Sequence, residues 1–157
     1  ATIRGMQTAT VPPVPATPPP PDWARRLGAA GLIPFIGGAL LVWLVWPEAH
    51  PYVALGLSAY AGLIVSFLGG IHWGVAMRAP APPPLLLAWG VLPSLVAWVA
   101  VMMPPSAGLV LHGVMLLVCY AVDRRLYPRH GLAAWLTLRF RLSAVAALSC
   151  FLGAAGT

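Results

Sequence analysis

His72 and Asp123 are ionisable side chains set in apolar sequence, where chemistry inside a membrane would have to begin. His72 stands in SFLGGIHWGVAMR, residues 66–78, with Trp73 beside it, and Asp123 closes one apolar run and opens the basic segment DRRLYPRH. Two readings of His72 stand. As a functional group it would handle a proton or hold a ligand, with Asp123 capping it across a helix bundle, since polar residues inside membranes mark such sites. As a packing group it would be a neutral imidazole hydrogen-bonded to a neighbouring helix, worth about 1 kcal/mol. Trp73 belongs to the same candidate site, or serves as an interfacial anchor.

His112, Cys119 and Asp123 share one face of a helix to within about 20°. His112 and Asp123 are nevertheless about 16 Å apart along the axis, too far for a common metal. His72 and His112 differ in depth by about 8 Å, which does not suit a haem held between two histidines. No metal and no cofactor are therefore expected. Asp22 and Glu48 are isolated loop acids, and no phosphate-binding glycine loop or nucleophile–base pair is recognisable, so an enzyme is not expected.

The elements that must position these residues are membrane spans. The chain of 157 residues is 60% hydrophobic and 8% charged, with mean hydropathy +0.85, which is integral-membrane usage. Four apolar runs, 27–46, 52–77, 85–103 and 107–122, are bounded by proline-rich or charged segments. A fifth, 142–155, covers only about 21 Å as a helix, so it must draw in part of WLTLRFR and start near Leu136. The second run is long enough to tilt or project. Along it Ala54, Ser58, Gly62, Ser66, Gly70 and Gly74 recur every four residues, a small-residue stripe that predicts close helix packing. Pro34 and Pro93 lie inside spans and predict kinks.

Net charge is +6 with no lysine. Arg4, Arg25 and Arg26 precede the first span, Arg78 follows the second, and Arg124, Arg125, Arg129, Arg139 and Arg141 lie around the fourth loop. With an odd number of spans all of them fall on one side. The positive-inside rule then predicts an all-α bundle of five transmembrane helices, N-terminus inside and C-terminus outside. Arg78, Arg124, Arg125, Arg129, Arg139 and Arg141 are expected to contact lipid headgroups, with Trp135 and Leu136 interleaved in the interface. The lipid bilayer, not nucleic acid, is the expected partner of this basic charge. Residues 1–22 are proline-rich without apolar periodicity, predicting a disordered tail, and they lack the apolar core of a secretory signal.

GLIPF (31–35), Tyr60, SFLGGIHWG (66–74), PSLVAW (93–98), Asp123 and Leu138–Arg139 occur in order. Over about residues 27–145 the chain thereby resembles the family called domain of unknown function 3429. The resemblance implies a small multi-span protein of an inner membrane and assigns no activity; the expected location is the bacterial cytoplasmic (inner) membrane. Small-residue stripes and scant extramembrane sequence lead to the expectation of an accessory subunit or assembly factor of a larger energy-converting complex, respiratory or photosynthetic, in contact with other membrane-protein subunits. The rival expectation is a carrier or channel for a small solute, proton or quinone, using His72 and Asp123.

Overall fold

Prolines write most of the helix starts. In the computed structural model, which describes residues 14–157, helix α1 spans Asp22–Gly31, α2 Ile33–Leu44, α3 His50–Ala76, α4 Pro84–Met102, α5 Pro105–Leu126 and α6 Leu136–Ala155. Each of α2 to α5 carries proline at its first or second position, where the missing N–H would have had no partner and φ is already helical. The described residues form only helices and connecting turns. Counting α1 and α2 together, five helices among the described residues are long and apolar enough to cross a membrane. Large apolar side chains such as Leu63, Phe67, Leu85 and Trp98 stand exposed around the bundle, as lipid-facing surfaces require.

The first span is broken at Leu32. Pro34 has no N–H to continue the ladder, and the Leu32 N–H turns instead to the Ala29 carbonyl at 3.1 Å. The Tyr60 hydroxyl donates to the Gly31 carbonyl at 2.8 Å, and its ring meets Phe35 edge-on at 5.1 Å. GLIPF and Tyr60 are thus two halves of one clamp between the first span and α3. Removing the hydroxyl with Tyr60→Phe is expected to cost about 1 kcal/mol, read as a lowered unfolding midpoint in detergent. An unchanged midpoint would show that water or lipid replaces the bond.

Helix α3 is the packing centre and touches α2, α4, α5 and α6. The predicted four-residue stripe serves only along its first half: Ala54, Ser58 and Gly62 are buried, Ser66 is half-buried, and Gly70 and Gly74 are exposed, with nothing within 4 Å of a Cβ built on either. The reason is geometric. Four residues advance about 400° at 3.6 per turn, so the stripe drifts about 40° per step and passes to the opposite face by Gly74. The close approach falls on Gly69, where a Cβ would run into the carbonyl oxygen of Gly90 and lie 3.2 Å from Pro93 Cγ. Pro93 is therefore a buried packing residue at the α3–α4 crossing.

The bundle has a basic end and a far end. At the far end Trp43 Nε1 donates to the Leu152 carbonyl at 3.0 Å, and His50 Nε2 lies 2.8 Å from the Gly156 carbonyl. At the basic end the α5–α6 connection turns on Gly131, with φ +73° in the left-handed region that favours glycine. The backbone N–H and hydroxyl of Thr17 both donate to the Gly131 carbonyl, at 2.8 and 2.7 Å. Of the tail expected to be disordered over 1–22, residues 14–21 have no regular secondary structure and meet this connection at Thr17, and α1 begins at Asp22. Asp22 stabilises the helix start by its charge and sits 3.9 Å from Arg25. Residues 1–13 lie outside the described residues.

Candidate functional site

Three helices bring one acid and two bases together near the basic end. Asp123 sits in the last turn of α5 and Arg139 in the first turn of α6. Each charge is at the unfavourable end of its own helix dipole, so each lowers the other's cost. The turn at Gly131 sets α6 antiparallel against α5 and lets the two meet. Arg139 donates from both Nε and Nη2 to Asp123 Oδ2, at 2.9 and 2.6 Å. The pair is almost removed from the surface, at 1% exposure for Asp123 and 8% for Arg139.

His72, 3% exposed, completes the group from α3. Its Nε2 lies 3.2 Å from Asp123 Oδ1, off the hydrogen-bond direction, so neither atom has a hydrogen-bond partner among the described residues. Its Nδ1 lies 3.3 Å from the Leu68 carbonyl one turn back. Both ring nitrogens thus face groups that accept. A neutral imidazole can satisfy one of them and an imidazolium both. The Tyr127 and Trp89 rings enclose His72 at 6.4 and 6.5 Å. Burial, then the Asp123 carboxylate, pushes the Tyr127 hydroxyl up to about 12, so it stays a neutral phenol.

Beside the group, a cleft of about 610 Å³ lies between the first span, α3 and α6. Phe35, Leu68 and Leu116 close its deep end, and Arg78, Arg139, Ser143 and Tyr127 supply polar lining. Ser143 is 2% exposed, and its hydroxyl has no partner among the described residues. Farther along the bundle His112 on α5 and Ser58 on α3 are buried without hydrogen-bond partners among the described residues.

The structure brings His72 and Asp123 into contact and leaves Trp73 out. Trp73 Nε1 donates to the Leu87 carbonyl at 3.0 Å, and its ring edge packs on Gly90, so it clamps α3 to α4. Arg139 is corrected from a headgroup contact to a buried ion-pair partner. Arg78, Arg124, Arg125, Arg129 and Arg141 remain exposed, and none of them pairs with Asp123. A signal for Arg139 was available: Arg139, Ser143, Ala146, Cys150 and Gly153 repeat at spacings of four and three and form the buried face of α6. Arg141 lies about 200° around the helix from Arg139.

A profile of the family described as "Protein of unknown function (DUF3429)" matches residues 20–155. Transmembrane protein 69 of Xenopus tropicalis is 37% identical over 137 residues, covering 82% of this chain and 52% of that protein. Transmembrane protein 69 of Mus musculus is 35% identical over 85 residues, covering 52% of this chain and 34% of that protein. The chain thus spans about half the length of the first relative and the match a third of the second. No solved structure matches the chain.

Proposed function

Because the chain belongs to the DUF3429 family of multi-span membrane proteins, we propose that it acts laterally within the bilayer and without catalysing a reaction. In this reading it is an accessory subunit or assembly factor of a larger energy-converting complex in an inner membrane. The observation that carries it is the shortness of the connections. Residues 45–49, 77–83, 103–104 and 127–135 are all that join the spans, so between Asp22 and Ala155 another protein would meet mostly helix faces. The arginines exposed at one end support an orientation with that end inside. A transport path has less support: beyond the Asp123 group the next buried polar side chain on α5, His112, is about 16 Å along the axis, with Leu116 and Cys119 buried between.

The test is purification at endogenous level in mild detergent, with mass spectrometry of what travels with the protein and a reporter fused after Thr157 for orientation. A stoichiometric multi-subunit complex is the expected result for a subunit, and substoichiometric assembly intermediates for a factor. A chain that travels alone overturns the reading, and a reporter inside overturns the orientation.

A further inference from the structure

We infer that the cleft between the first span, α3 and α6 is a binding site for a lipid-soluble quinone, a flat ring carrying carbonyl acceptors on an apolar tail. This goes beyond the lateral-partner reading and does not depend on it. The cleft's volume, about 610 Å³, lies in the range of small-molecule sites. Its walls are apolar, with Phe35, Leu68 and Leu116 around the deep end, and it lies between helices at the side of the bundle.

The polar edge selects the head group. Two of the five N–H groups of Arg139 are used on Asp123 and another faces the Tyr127 hydroxyl, so the guanidinium keeps N–H groups for a further acceptor. Ser143 lines the same space, and its buried hydroxyl has no partner among the described residues. Tyr127 adds a phenol kept neutral by burial. All three can donate, and no carboxylate is among the lining residues. Charge balance narrows the class further. Arg139 is already neutralised by Asp123, so an anionic head beside it would add a second negative charge near the bare Oδ1 of Asp123, and a cationic head would meet the guanidinium. A neutral acceptor fits both, and the aromatic rings of Phe35, Tyr127 and Trp135 in the lining offer faces to a flat ring. Arg78, exposed in the same lining, is where an anion would bind instead, and the anionic competitor tests for that.

The experiment uses the full chain in lipid nanodiscs, with a benzoquinone bearing a ten-carbon tail as the probe and decanoate as the anionic competitor. Binding is followed by quenching of tryptophan fluorescence. Gly74 lines the cleft, is exposed, and has nothing within 4 Å of an added Cβ, so Gly74→Phe obstructs the cleft without opposing any helix contact. Gly70→Phe, equally unopposed and off the cleft, is the control. Saturable quenching is expected, weakened about tenfold by Ser143→Ala, the loss of one hydrogen bond. It should be abolished by Gly74→Phe and kept by Gly70→Phe, with decanoate unable to displace the quinone. Quenching that rises linearly, or survives Gly74→Phe unchanged, overturns the site. Displacement by decanoate overturns the assigned ligand class. Loss of a copurifying complex would leave these results untouched, so the two proposals fail separately.

Discussion

Arg139→Ala destabilises the bundle by about 3–5 kcal/mol, the cost of stranding a buried charge when its partner is removed. The Asp123 carboxylate is 1% exposed, and both its bonds from a cation come from Arg139. His72 cannot substitute from where it stands, because its Nε2 faces Oδ1 without an aligned hydrogen bond. Arg139→Lys restores the charge without the fork of two donors and should recover only part of the loss. Asp123→Asn strands the guanidinium in turn, while Asp123→Asn combined with Arg139→Gln removes both charges. The double variant should therefore lose less than the two singles summed. Unfolding in mixed micelles measures all of these. A loss below about 1 kcal/mol for Arg139→Ala, the range of solvated pairs, would mean that water reaches the pair and that the site is not a buried ion cluster.

Gly69→Ala is the second large effect, at about 2 kcal/mol of destabilisation. The obstacle to a methyl group there is backbone, the Gly90 carbonyl oxygen, with Pro93 Cγ at 3.2 Å behind it. Neither can rotate away, so α3 and α4 would have to separate, and the Trp73 bond to Leu87 would be strained with them. Its neighbour gives the opposite sign. Gly70→Ala meets nothing within 4 Å and should stabilise by about 0.5–1 kcal/mol through helix propensity. The pair of adjacent substitutions is read in one thermal-stability assay. Equal effects at the two positions would show that the crossing is looser than the close approach of Gly69 and Gly90 requires.

The spans were legible because apolar length is a local signal, bounded here by prolines whose consequences for hydrogen bonding are equally local. The contact between His72 and Asp123 was legible as a juxtaposition of depths. What was not legible was rotation. A repeat of four looks like a face in the sequence, yet a helix turns about 40° beyond a full circle over each such step, and so the stripe that starts on Ala54 leaves the core before Gly70. The same blindness to rotation grouped Arg139 with Arg141 by charge, although the two point in different directions. Trp73 was placed with His72 because they are adjacent in sequence, and adjacent helical residues diverge by about 100°.

The separation between the two charges of the ion pair also has a consequence in time. Asp123 precedes Arg139 by 16 residues, so at roughly 5–20 residues per second of synthesis the acid is made about one to three seconds before its counter-ion. During that interval α5 carries an uncompensated carboxylate, which a bilayer accepts poorly. Lateral release of α5 into lipid is less costly once α6 can enter beside it. The last two spans are therefore expected to enter the bilayer as a hairpin rather than one after the other, and a chain truncated before Arg139 should insert α5 less efficiently than the full chain.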